Sequence, residues 1–194
     1  TDFELNRQNP VKGHFLRLRT RTNDSSFASN FSANQISLAG TYLTPLDNYS
    51  PPKYVLGIRG TLLSTLVDEK FLQQNELPIN YRYFLGGSQN IRGFSRRSLP
   101  NASGALTAAY LGIEQRFLDH MPYNIEPLLF IDYAKFGVNS FKLDSDDFFS
   151  YGLGMRWNSP VGVFRFTAAK GVTEGEALDN QRNIQLYLSF GEEF

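Results

Sequence analysis

Cysteine is absent from this chain of 194 residues. That excludes a disulfide framework, a thiolate metal site and a cysteine nucleophile. Histidine is scarce. His14 and His120 are the two copies, and neither has a partner at the spacing of a zinc site or a catalytic triad. Neither sign of charge is in excess, because 19 Lys and Arg balance 19 Asp and Glu. A nucleic-acid partner, which calls for a net basic footprint, is not expected. No apolar run approaches the ~18–20 residues of a membrane-spanning helix, and no signal-peptide pattern opens the chain at Thr1. The mean hydropathy of −0.32 is bland. A strand that alternates lipid-facing and lumen-facing residues averages to such a value while its two faces differ sharply. What the chain does have is 17 Phe, 10 Tyr and 16 Gly, a composition of strands and turns.

The period of the apolar residues is two. Phe149 to Trp157 sets Phe, Tyr, Leu, Met and Trp on one parity against Ser, Gly, Gly and Arg on the other. Gly162 to Ala168 places Phe164 and Phe166 opposite Arg165 and Thr167. Asn183 to Phe194 places Ile184, Leu186, Leu188, Phe190 and Phe194 opposite Gln185, Tyr187 and Ser189. Similar alternation marks 14–21, 35–42, 54–62, 105–117 and 125–134. About eight antiparallel strands are predicted, each near the ~10 residues that a tilted membrane strand needs. The connections alternate in length: 22–31, 67–103, 136–147 and 171–181 on one side, and 44–53, 118–123 and 158–160 on the other. Most of the long ones fall on one side, as in outer-membrane barrels. Turn 44–53 is long for the short side. A soluble sandwich or lipocalin-like barrel would show the same period with the apolar face turned inward, and periodicity alone does not say which face meets water.

Loop 67–103 is too long for a hairpin turn. It carries Arg82-Tyr83-Phe84-Leu85-Gly86-Gly87-Ser88-Gln89-Asn90-Ile91-Arg92-Gly93-Phe94. This run resembles the signature loop of the bacterial surface antigen family, the BamA/TamA type of outer-membrane assembly factor. That signature reads aromatic-x-Gly-Gly, then Val or Ile, Arg, Gly and an aromatic residue. The strands that follow resemble the family in order: Gly112-Ile113-Glu114, then Phe130-Ile131-Asp132-Tyr133, then Ser159-Pro160-Val161-Gly162 with Arg165-Phe166. The chain ends in Phe194, as does the family's assembly signal. Residues 81–194 carry the resemblance.

The resemblance implies a transmembrane β-barrel or half-barrel in the bacterial outer membrane, spanning 1–194, in contact with lipid and with client polypeptides that it inserts or translocates. It implies that the loop folds back into the lumen and that Gly86, Gly87, Ile91, Arg92, Gly93 and Phe94 form its core. Arg92 would then meet Glu114 and Asp132. Both acids share the polar parity of their strands, and an arginine fork donates bidentately to carboxylates. The lumen at this level is expected to hold water, so the pairing is expected at the low end of its energy range. Phe194 would serve as the assembly signal at the periplasmic rim.

The family's barrels have sixteen strands, and this chain supplies about eight, in the order of the C-terminal half. An eight-stranded barrel is filled by its own side chains and has no room for the loop. Three arrangements answer this: a missing N-terminal half, two copies paired edge to edge, or a small barrel with the loop outside. The family's periplasmic binding modules are not expected within these residues. A membrane anchor for a fused or partner domain, such as a patatin-type lipase, and a small structural barrel that dimerises are the alternative functions.

No enzyme, metal or cofactor is expected. Gly86-Gly87-Ser88-Gln89-Asn90 lacks the last glycine of a nucleophile elbow. Asp144, Asp146 and Asp147 lack the glycine and distal glutamate of a calcium loop. Glu114 and Asp132 suggest an acid–base pair, but a neighbouring Arg92 would keep both ionised.

Overall fold

The computed structural model describes residues 2–4, 10–24, 32–67, 77–100, 103–173 and 184–191. They form one antiparallel sheet whose strands lie in chain order. The strands are β1 (Asp2–Glu4), β2 (Lys12–Asn23), β3 (Ala33–Pro45), β4 (Tyr54–Val67), β5 (Thr107–Phe117), β6 (Ile125–Gly137), β7 (Phe148–Ser159), β8 (Gly162–Thr173) and β9 (Gln185–Phe190). The eight segments predicted from periodicity correspond to β2–β9. The additional β1 is three residues long and pairs with Lys12–His14, too short to show a period. Among the described residues β1 and β9 do not pair, so the sheet is an open wall.

The two faces of the wall differ in the way that decides its solvent. On β6, Leu129 and Ile131 are exposed while Leu128, Phe130, Asp132 and Ala134 between and beside them are buried. On β8, Phe166 is exposed while Arg165 and Thr167 are buried. Leu16 on β2 is 72% exposed and Leu188 on β9 is 76% exposed, yet Arg92 and Arg156 are 0% exposed. A water-soluble barrel would show the reverse. A sheet-wide apolar face of Leu, Ile, Phe and Tyr far exceeds the patch that a soluble monomer presents to water. A lipid-facing wall requires this pattern.

Aromatic rings mark the two ends of the apolar face. Trp157, Phe164 and Phe190 stack in a row beside the short turns, with ring centroids 5.7 and 5.0 Å apart. Tyr133 and Phe149 meet at 4.9 Å toward the other end. The eight steps from Phe149 to Trp157 span about 26 Å of strand at ~3.3 Å each. A tilt of ~40° reduces this to about 20 Å, close to the ~25 Å apolar band of an outer-membrane barrel.

The long turn 44–53 is closed by one carboxylate. Asp47 Oδ1 accepts from the Tyr49 N–H at 3.0 Å, and Oδ2 accepts from the N–H groups of Lys53 and Tyr54, both at 2.8 Å. Its length is thereby compatible with a compact turn.

The described part of the signature loop, 77–100, lies on the inner face. It forms a small ladder of its own, with bridges Tyr83↔Ala105 and Leu85↔Leu99. Its Leu85, Ile91, Phe94 and Leu99 pack on Ala108 and Tyr110 of β5, Ala134 of β6 and Phe148 of β7. This apolar cluster is therefore a contact between loop and wall.

The assignment of faces is directly testable at two adjacent residues. Leu186 faces outward beside Ala168 of β8, in the row that includes Leu153 and Leu129, and Gln185 faces inward. Leu186→Arg should destabilise the membrane-inserted protein by about 2–4 kcal/mol, and Gln185→Arg by about 1 kcal/mol or less. Urea unfolding in lipid vesicles measures both, and equal losses would contradict the assignment.

Candidate functional site

Three strands and the loop tip converge at one point of the inner face. Glu114 on β5 and Asp132 on β6 are inward-facing because each sits on the buried parity of its strand. Asp132 is the register partner of Gly112. A Cβ at position 112 would lie 2.2 Å from the Tyr110 hydroxyl and 2.8 Å from Asp132 Oδ1. The missing side chain leaves the space in which those two groups bond, at 3.0 Å.

Arg92 enters this space from the loop. Its Nε and Nη2 donate to Asp132 Oδ2 and Oδ1, both at 2.8 Å, and its backbone N–H donates to Oδ2 at 3.0 Å. The remaining arm, Nη1, donates to Glu114 Oε2 at 2.9 Å. The guanidinium carbon stands 3.4 Å from the centroid of the Phe130 ring. Burial opposes the charged guanidinium, and the two carboxylates more than offset it, so the pKa of Arg92 is raised further.

Glu114 is shared. Besides Arg92 it accepts from Arg165 on β8, through Nη2 at 2.8 Å and Nη1 at 3.2 Å, and from Arg116 Nε at 3.1 Å. Arg59 of β4 joins through Tyr110, donating from Nε to the phenol oxygen at 2.8 Å. A separate cross-strand pair, Glu126 and Arg156, meets at 2.8 Å nearer the short turns. Ions held in so dry a place persist only when their bonding capacity is filled by partners.

The loop approaches the wall closely because two glycines face each other. Gly93 has φ +89°, and a Cβ there would lie 2.5 Å from the Gly171 nitrogen. A Cβ on Gly171 would in turn lie 2.7 Å from the Gly93 oxygen. Ile91 and Phe94 flank the tip and are fully buried. Gly86 and Gly87 form the opposite arm of the tip, where Gly87 N–H donates to the Phe94 oxygen at 3.0 Å. Arg96 and Arg97 are exposed, and Arg97 rests 5.8 Å from the Phe84 ring.

The structure thus brings Gly86, Gly87, Ile91, Arg92, Gly93, Phe94, Glu114 and Asp132 together. Phe194 lies outside the described residues. One point differs from the sequence reading. The site is closed to solvent, with Arg92, Glu114 and Asp132 all 0% exposed. Arg92 meets both acids, with three hydrogen bonds to Asp132 and one to Glu114. Sequence reasoning also left Arg116, Arg165, Tyr110 and Tyr187 without partners. Their polar parity put them on one side of the wall, but the levels at which they meet come from the register of the strands. Among the described residues no cluster of His, Cys, Asp or Glu has the form of a metal site, and the chemistry of this constellation is ionic clamping.

An open antiparallel wall with an apolar outer face and an arginine–carboxylate core on its inner face is a section of an outer-membrane β-barrel. The chain belongs to the Omp85 superfamily, whose domain model matches residues 3–194. It is 27% identical over 133 residues to the outer membrane protein assembly factor BamA of Nitratidesulfovibrio vulgaris, a match covering 62% of this chain and 16% of that protein. It is also similar in fold to BamA from Haemophilus ducreyi lacking POTRA domains 1–3. That match has a TM-score of 0.76 and 16% identity over 98% of this chain and 40% of the solved one. The chain therefore spans well under half the length of these relatives, and its place is the outer membrane.

Removing one member of a dry, hydrogen-bonded ion cluster leaves its partners uncompensated, at a cost of about 3–5 kcal/mol. Arg92→Ala and Asp132→Asn should both reach that range, and Arg92→Lys should fall between them and the native protein, because an ammonium cannot reproduce the fork. Limited proteolysis within 82–100, read by mass spectrometry, should show new cleavage in the same order. Gly93→Ala should unseat the loop as fully as Arg92→Ala does, although it removes no charge. If it leaves cleavage unchanged, the close approach to Gly171 is not what seats the tip.

Proposed function

We propose that this chain is the wall and signature loop of an outer-membrane barrel that inserts or translocates polypeptides. The observation that carries this reading is the contrast between a rigidly held loop and a weakly held edge. Among the described residues β7 and β8 share twelve register positions, whereas β8 and the edge strand β9 share six. Among the described residues β9 has no neighbour on its far side. An unpaired strand edge is a template for another strand, and β-augmentation needs no covalent chemistry. The name of the Nitratidesulfovibrio relative, an assembly factor, supports the same reading.

In this proposal Arg92, Glu114 and Asp132 brace the loop against β5, β6 and β8, so that the edge is presented at a constant position. Client polypeptides and outer-membrane lipids are the partners. The two open edges of the wall are completed by an N-terminal half of the barrel or by a second copy.

The test uses the full-length protein in vesicles with a denatured outer-membrane client. A cysteine at Leu188 should form a disulfide with a cysteine in a client strand during insertion, and a cysteine at Leu129, in the middle of the wall, should not. Arg92→Ala should slow client insertion by about tenfold or more, the factor that ~1.4 kcal/mol represents in a rate. Client insertion with no cross-link at the edge would overturn the reading.

A further inference from the structure

The loop tip is tied to the edge strand itself. Tyr187 is an inward-facing residue of β9, and its hydroxyl makes two hydrogen bonds to the signature loop. It accepts from the Gly93 N–H at 3.0 Å and donates to the Phe94 carbonyl at 2.8 Å. A single phenol thus satisfies a donor and an acceptor on consecutive residues, directly beside Arg92. The ring is half-buried and packs with Phe130, Leu128 and Ala169. Phe130 is the ring under the Arg92 guanidinium. The clamp and the edge strand therefore both border on Phe130.

From this geometry we infer that Tyr187 is a positioning residue that couples the seating of the loop to the pairing of β9. Its three outward neighbours, Leu186, Leu188 and Phe190, are exposed on the lipid-facing side and contribute nothing to the inner face. The backbone ladder of β9 extends over six positions. Two hydrogen bonds to a loop that is itself pinned at Asp132 are a large share of what holds so short a strand. Such a link works in both directions. By linkage, loosening the loop weakens β9 as much as loosening β9 weakens the loop. The edge would then be released in step with the loop, and the ion cluster would set how readily it opens. The consequence for client entry rests on the function proposed above, whereas the coupling itself does not.

Hydrogen exchange of the full-length protein in lipid nanodiscs tests the coupling. Tyr187→Phe keeps the ring and removes both hydrogen bonds. Exchange should quicken about thirtyfold, the factor expected for two neutral hydrogen bonds of ordinary strength, both in β9 and at Gly93 to Phe94. Asp132→Asn should quicken exchange in β9 too, although the hydrogen bonds of Asp132 go to Arg92 and Tyr110 and not to β9. Tyr151→Phe, on the outer face, should change neither. The coupling is overturned if Tyr187→Phe affects β9 alone, or if Asp132→Asn leaves β9 unchanged. Client insertion measured on the same variants separates the two claims. Coupled exchange with undiminished insertion would sink edge entry and leave the coupling standing. Uncoupled exchange with slowed insertion would do the opposite.

Discussion

Arg92 reaches from a loop into a space closed to solvent and makes four hydrogen bonds there, three to Asp132 and one to Glu114. Each of these groups would be intolerable alone in that place, since the cost of stripping water from an ion is repaid only by close partners with filled bonding capacity. The requirement propagates outward. Glu114 needs Arg165 and Arg116 as well as Arg92, Asp132 needs the Tyr110 hydroxyl, and that hydroxyl accepts from Arg59. The positions of β4, β5, β6 and β8 relative to one another and to the loop are thus specified by one set of charges.

The same constraint explains why this protein is built inside out. A wall that turns its arginines inward has its leucines, isoleucines and aromatics left for the outer face, and lipid is the solvent that accepts them. Small residues keep the inner face open where large groups must fit. Gly112 makes room for the Tyr110–Asp132 bond, and the facing pair Gly93 and Gly171 lets loop backbone lie against strand backbone. Phe94, Ile91, Leu85 and Leu99 then supply the apolar contact that shuts out water.

A rigid loop and a short edge strand are mechanically complementary. Adjacent strands from β2 to β8 share ten to thirteen register positions, whereas among the described residues the edge strands β1 and β9 share three and six. Tyr187 joins a short edge strand to the most firmly held part of the loop. The arrangement places the stability of the edge under the control of a polar cluster instead of leaving it to backbone pairing alone.

Much of this was legible in the sequence, and the reason is period. Alternation in 125–134 and 149–157 identified the strands and their polar faces, because successive side chains in a strand point to opposite sides whatever the fold around them. The run Ile91-Arg92-Gly93-Phe94 identified the loop, and parity aimed Glu114 and Asp132 at the same side of the wall. Period alone did not say which face meets lipid, since it is the same either way; the resemblance to the family did. The partners of Arg165, Arg116 and Tyr187 were not legible. Parity gives a side and no height, and only strand register brings Arg165 to the level of Glu114, or Tyr187 to the level of Gly93. The dryness of the site was a tertiary outcome as well. It arises because Phe130 and Phe94, distant in the chain, close over charges that the sequence alone would leave in water.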